Sequence, residues 1–183
     1  MAKDYQNDQE LFALMKRELF TAVVGDVMDK MGYLRQFLPP EIQPLRDDMV
    51  LVGRAMPVLE ADVFAESFEG ANGPLTNKPF GLMLEALDDL KPGEIYVASG
   101  ASPRYALWGE LMCTRAQILG ATGTIVNGFA RDIPGILELD FPVFATGRYA
   151  QDQGPRGKVI DYRVPIEIGG ICIDPGALLF GDL

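Results

Sequence analysis

Hydrophobic positions recur at helical spacing early in the chain and as short, turn-bounded runs late in it. Residues 8–19 place Leu11, Leu14, Met15 and, less regularly, Leu19 on one side of an amphipathic helix. A second helix follows, with Thr21 as N-cap, Gly32 as stop and an apolar stripe of Val24, Val27, Met28 and Met31. Asp26 on it reads as a solvated or packing position. Leu38-Pro39-Pro40 opens an irregular connection. Residues 49–59 are β-rich, and Pro57 suits an edge or a bulge. Residues 60–78 are polar, with Phe64, Phe68, Gly70 and Gly73, and read as a loop bordering a pocket. Its acids Glu60, Asp62, Glu66 and Glu69 read as a solvated face.

The middle of the chain alternates. A helix over 80–90 is turned by Pro92-Gly93 into a strand over 95–98. A helix opening at Gly109-Glu110 runs to Gly120, with Leu111, Ile118 and Leu119 as its apolar face. The apolar run 124–126 breaks at Asn127-Gly128, a strong turn dipeptide, and Arg131-Asp132 precedes a second turn signal, Pro134-Gly135. A strand over 143–146 leads to a long polar loop, 147–157, of the kind that shapes a lid or a subunit contact. Segments 164–168, 171–173 and 177–180 read as short strands between Gly-Gly and Pro-Gly turns. The pattern predicts one mixed α/β domain over 1–183.

Composition narrows the functions. A chain of 183 residues with 48% hydrophobic and 23% charged residues is that of a soluble globular protein. No apolar run approaches a membrane span, and Met1-Ala2-Lys3-Asp4 opens no signal peptide, so a cytoplasmic location and no membrane partner are expected. A net charge of −10 argues against nucleic acid as a partner. Histidine is absent, which removes Ser-His-Asp and Cys-His catalysis and every histidine metal ligand. Cys113 and Cys172 show no metal spacing and read as buried reduced thiols. No glycine-rich nucleotide fingerprint is present.

What remains is oxygen and guanidinium chemistry. The first amides of the helix after Gly109, those of Leu111 and Met112, have no intrahelical partner and can seat a carboxylate. Arg131 offers a planar fork for the same anion. Asp132 and Glu110 offer hard oxygen ligands suited to Mg²⁺ or Mn²⁺. An anion seat beside a metal serves enolate chemistry on an α-keto acid. Plainer roles stay open: Asp132 as the cap of the helix starting near Ile133, Glu110 as a complement to its helix dipole, Arg131 as half of a surface ion pair. Arg104, in the loop 99–104 that runs into this stretch, could bind a distal carboxylate.

Gly109-Glu110-Leu111, a helix closed by Gly120, Gly123-Thr124-Ile125-Val126-Asn127-Gly128 and Arg131-Asp132 together resemble the signature of the RraA-like family. That family holds class II 4-hydroxy-4-methyl-2-oxoglutarate / 4-carboxy-4-hydroxy-2-oxoadipate aldolases and the regulator of ribonuclease activity A. The resemblance extends to the helix from Thr21 to Gly32 with Asp26 in register, to Pro92-Gly93-Glu94, to Phe141-Pro142-Val143-Phe144 and to Gly181-Asp182.

The resemblance implies the swivelling β/β/α fold, a homotrimer or hexamer with sites between subunits, and a small oxo-acid substrate. It implies a metal-dependent lyase releasing pyruvate from a 4-hydroxy-2-oxo acid, with oxaloacetate decarboxylation as a side activity. By the same likeness Asp132 holds the divalent metal, Glu110 holds metal-bound water as the catalytic acid–base, and Arg131 with Gly109, Leu111 and Met112 binds the pyruvyl part. The alternative within the family is a non-catalytic regulator that binds a ribonuclease or another protein; those members lack the Arg-Asp pair. Three positions depart from the aldolase pattern: Gly135 stands where an acid is expected, Asn127 where many relatives have Asp, and the sequence stops at Leu183, soon after Asp182.

Overall fold

The structure, a computed structural model, describes residues 5–63, 75 and 77–183. The expectations for Phe64, Glu66, Phe68, Glu69, Gly70 and Gly73 lie outside the described residues. Helix α1 (Asp8–Glu18) is capped by Asn7, whose side chain accepts from the Glu10 amide at 2.9 Å. It buries Phe12 and Met15 against Val52.

Helix α2 (Thr21–Lys30) is capped differently from expectation. Phe20 is the N-cap, and Thr21 lies one residue inside. Asp182, from the far end of the chain, accepts from the Thr21 amide at 3.1 Å and from its hydroxyl. The apolar stripe of α2 is also largely outward: Val27 and Met31 are exposed, and Gly25 is the helix's buried position. Gly25 makes room for the ring of Phe37, so contact there is through backbone rather than through the stripe.

The sheet holds β1 (Gln43–Pro44), β2 (Leu51–Asp62), β3 (Glu94–Ser99), β4 (Ala106–Trp108), β5 (Gly123–Ala130), β6 (Val143–Arg148), β7 (Gly157–Tyr162) and β10 (Leu178–Gly181). Its spatial order is β1-β6-β5-β3-β2-β10, with β4 on β5 and β7 on β2. Strands β2, β3, β5 and β6 form its parallel centre, and β10, β7 and β1 add antiparallel edges. The central strands are near-continuous apolar runs because both faces are covered. Tyr96 packs on Trp108, whose indole N–H donates to Cys113 on α4 (Glu110–Ile118). Ser99, an odd number of residues further along β3, faces the other way and donates to the Glu167 carbonyl of β8 (Ile166–Ile168), which hairpins with β9 (Ile171–Ile173). Helices α3 (Met83–Asp88), α4 and α5 (Ile133–Glu138) make one layer, the sheet the next and the hairpin the third. This is the expected β/β/α arrangement.

Three expectations fail for local reasons. Pro57 sits in a central strand; it falls between the residues paired to β10 and those paired to β7, where a missing N–H costs little. Asn127-Gly128 is no turn but the interior of β5, at the point where its partner changes from β3 to β4 and the register to β6 slips. A Cβ on Gly128 would lie 2.8 Å from Leu107, so glycine there serves strand approach. Strand β7 was not foreseen: Gly157 reads as the end of the long loop, and the residues after it, up to 163, fall in no predicted element. Cys113 is buried as expected, whereas Cys172 is exposed.

Candidate active site

The two polar blocks of the sequence meet because their strands do. β4 and β5 are parallel neighbours, with Trp108 opposite Ala130. The chain leaves β4 into Gly109 and α4, and leaves β5 into Arg131-Asp132, so both blocks emerge at the carboxyl end of the sheet. The Arg131 amide donates to the Trp108 carbonyl at 2.9 Å and locks the two exits together.

Gly109 is the N-cap of α4 and supplies no side-chain cap. The first amides of the helix are therefore open to a ligand. A Cβ on Gly109 would lie 2.7 Å from Asp132 Oδ2, so glycine here admits the carboxylate over the helix end. Asp132 itself has φ +57, a left-handed conformation uncommon outside glycine, and its side chain makes no capping hydrogen bond to α5. The plain capping role fails, and the carboxylate stays available. Such a conformation at a strand exit marks a position held by its surroundings.

Glu110 is exposed on the first turn of α4, and its carboxylate lies where a Gly135 side chain would be. The acid that the family likeness expects at 135 is thus replaced in space by Glu110. Glu110 and Asp132 also bear on one buried thiol. Burial pushes Cys113 up to about 12, the Trp108 N–H opposes that, and the charges of Glu110 and Asp132 add to it.

A cavity of about 440 Å³ opens beside these groups: Gly109, Leu111, Met112, Arg131 and Asp132 line it, whereas Glu110, turned against Gly135, does not. Arg131 lies 3.6 Å from Asp132 and makes a 2.7 Å ion pair with Asp152. Leu111 is 83% exposed, so the expected apolar face of α4 is wrong: Cys113 and Ala116 are buried and Leu111 stands at the cavity mouth. Arg104 does not line the cavity. It pairs with Asp62 at 2.7 Å, beside donors from the Ser102 amide and the Tyr105 hydroxyl. Burial would raise Asp62, but these donors outweigh it and hold the carboxyl at about 2. Asp182, engaged by Thr21, lies with α2.

Sequence reasoning missed Asp152 and Gln153, which line the cavity from the loop after β6. That loop is fastened by the Tyr149 amide to Ala130 and by the Gln151 carbonyl to Ala106. Its length was the one available signal. Gln153 donates at 2.8 Å to Glu60, which is buried rather than solvated. Burial raises Glu60 to about 8, against the pull of the Gln153 amide.

An open helix start, an arginine and several carboxylates meet around one cavity at the paired strand ends of an α/β protein. The RraA-like (Aldolase/RraA) profile matches residues 21–183, and the chain belongs to that family. It is 29% identical over 175 residues to a "Putative 4-hydroxy-4-methyl-2-oxoglutarate aldolase" of Halalkalibacterium halodurans, covering 93% of this chain and 72% of that one. It is 26% identical to protein DlpA of Legionella pneumophila, covering 88% of this chain but spanning only 25% of DlpA. Among solved structures, one from a set of novel cellulases of gut-associated microbes superposes with TM-score 0.82 at 27% identity, over 100% and 78% of the two chains. RraAS2 of Streptomyces coelicolor, an unusual member of the RNase ES inhibitor RraA family, gives 0.77 at 21% identity over 97% and 83%, a likeness of fold. Among the described residues no helix is long and apolar enough to cross a membrane.

Proposed function

We propose that this chain is a divalent-metal-dependent lyase that cleaves a 4-hydroxy-2-oxo acid to pyruvate and a second carbonyl compound, with oxaloacetate decarboxylation as a side activity. The observation that carries the reading is the meeting of Arg131, Asp132 and the open first turn of α4 at one cavity. Relatives named as aldolases support the reaction class.

Among the described residues no three acidic, cysteine or histidine side chains converge, so the donors on offer are one or two carboxylates, a set that suits only a largely hydrated hard cation. Asp132 is 45% exposed, is all-oxygen and makes no cap bond, and an Mg²⁺-type ion keeps several waters and takes one or two carboxylates. Asp132 would hold it, with Glu110 nearby. When bound, the ion would polarise the keto oxygen and stabilise the charge that develops as the carbon–carbon bond breaks. The chain's own residues do the rest. The Arg131 fork and the amides of Leu111 and Met112 bind the pyruvyl carboxylate. Asp152 holds the guanidinium over the cavity and shares it with the incoming anion. Glu110, which stands against Gly135 rather than on the cavity wall, would orient a water that takes the proton of the 4-hydroxyl and returns one to the pyruvyl methylene carbon.

The test is pyruvate release from oxaloacetate and from 4-hydroxy-4-methyl-2-oxoglutarate, with Mg²⁺ or Mn²⁺ and after EDTA. Activity surviving both chelation and Asp132→Ala would reject the mechanism. Gly135 in place of an acid favours a second reading, a non-catalytic regulator that binds a ribonuclease or another protein. A stable ribonuclease complex from a protein without lyase activity would establish it.

A further inference from the structure

Much of the rest of the cavity lining is apolar. Met83, Leu84 and Leu87 of α3 form one wall, and Leu107 and Leu111 close it from β4 and α4. Met83, Leu87 and Leu107 are buried, while Leu84 and Leu111 are exposed at the mouth. Burying hydrocarbon against such a wall is favourable, and burying an unpaired carboxylate there is not.

Charge points the same way. Among the described lining residues the cations are Arg131 and Arg115, and the acids are Asp88, Asp132 and Asp152. Each cation already faces an acid: Arg131 lies 2.7 Å from Asp152, and Arg115 lies 2.8 Å from Asp88. Arg104, the residue suited by sequence to a distal carboxylate, is with Asp62 instead. A first carboxylate has a seat at the α4 amides and Arg131. Within this chain, a second would meet a largely apolar lining in which acids outnumber cations.

We propose that the half of the substrate released beside pyruvate is apolar, so that the site takes a 2-oxo acid with a hydrocarbon or aromatic group at C4 and no second carboxylate. For the reaction this rests on the lyase reading; for the binding order it stands alone. In the cleavage the C3–C4 bond breaks and its electron pair passes to C3, giving the enolate of pyruvate, which takes up one proton. The 4-hydroxyl loses its proton as C4 becomes the carbonyl of an apolar aldehyde or ketone.

Two measurements separate the two ideas. The first is calorimetric binding, with Mg²⁺ present, of 4-methyl-2-oxopentanoate and 2-oxo-4-phenylbutanoate against 2-oxoglutarate. The apolar acids are expected to bind about tenfold tighter. Equal affinities, or tighter binding of 2-oxoglutarate, overturn the proposal whatever the enzyme catalyses. The second is pyruvate release from 4-hydroxy-2-oxo-4-phenylbutanoate against 4-hydroxy-4-methyl-2-oxoglutarate. A higher kcat/KM for the phenyl compound supports the assignment, and a higher value for the dicarboxylate overturns it. No pyruvate from either, or from oxaloacetate, removes the lyase reading and leaves the binding order to decide this one. Leu84→Arg, at an exposed position, adds a third cation to the lining, so that cations equal acids there, and should shift the binding order toward 2-oxoglutarate. An unchanged order in that variant excludes the α3 wall as its cause.

Discussion

Glu60→Gln isolates one buried carboxyl. Glu60 is 2% exposed, accepts from Gln153 through one oxygen, and has no partner for Oε1 among the described residues. Burial raises it from 4.5 to about 8, so the folded chain keeps a proton there at neutral pH while the unfolded chain does not. Between those values the folded state binds one proton more, and stability falls as pH rises, by ~1.4 kcal/mol per pH unit. The contribution is complete below the unfolded value near 4.5 and is lost as pH climbs through the folded value near 8. From pH 6 to 7.5 the loss is ~2 kcal/mol, roughly 4–8 °C in Tm for a chain of this size.

Glutamine keeps the shape and cannot ionise. The assay is urea unfolding of both proteins at half-unit steps from pH 5 to 9, reading the difference in stability so that every other titrating group cancels. That difference should slope across the window and flatten above about pH 8. A flat difference throughout would mean that Glu60 ionises near its ordinary value inside the fold, and would refute the account of the Glu60–Gln153 contact as a neutral one.

Gly109→Ala should lower pyruvate release at least about tenfold while moving Tm by only a few degrees, since its Cβ would meet Asp132 Oδ2 at 2.7 Å and displace the carboxylate from the helix end. Steady-state kinetics beside a thermal melt separates the two effects. Arg131→Lys replaces a fork by a point charge, so KM for the oxo acid should rise about tenfold; an unchanged KM would remove Arg131 from carboxylate binding. Asp182→Ala takes the acceptor from the first turn of α2 and should cost about 1 kcal/mol in denaturant unfolding with kcat unchanged. A fall in kcat at constant stability would place Asp182 in the chemistry instead.

The pattern of the chain disclosed most elements whose side chains answer to a single neighbour. Helix α1 was legible because Leu11, Met15 and Leu19 of the foreseen stripe do pack toward one strand, although Phe12, buried beside Met15, and the cap Asn7 were passed over. The rule failed where contact is made by small residues. On α4 the buried positions are Cys113 and Ala116, so the leucine and isoleucine that suggested a core face point outward. On α2 Gly25 makes the contact, and the valine and methionine stripe is left out. Asn127-Gly128 misled for a related reason: glycine serves close strand approach as readily as a turn, and the sequence does not distinguish them. For the site, Arg131, Asp132 and the α4 amides were legible as local signals at strand exits. Asp152 was not, because its place beside Arg131 depends on the Tyr149–Ala130 bond across two strands.

Two glycines define what this site can be. Gly109 admits Asp132 over the opening of α4, and Gly135 admits Glu110 against α5. Each carboxylate therefore occupies space that a side chain would otherwise fill, and neither caps the helix beside it. Asp132, at the N-cap position of α5 without a capping bond, forfeits capping energy of ~1 kcal/mol. Arg131 compensates it only loosely, at 3.6 Å, since its closer contact is with Asp152. Acids placed this way are poorly used for stability, which is what the proposed lyase reading requires of them. Gly135→Glu tests that argument. If Glu110 works from the space beside Gly135, the added side chain must expel it, and lyase activity should fall at near-constant Tm even though the variant restores the family's acid. A rise in activity would show instead that the acid at 135 is the better partner and that Glu110 only fills its absence.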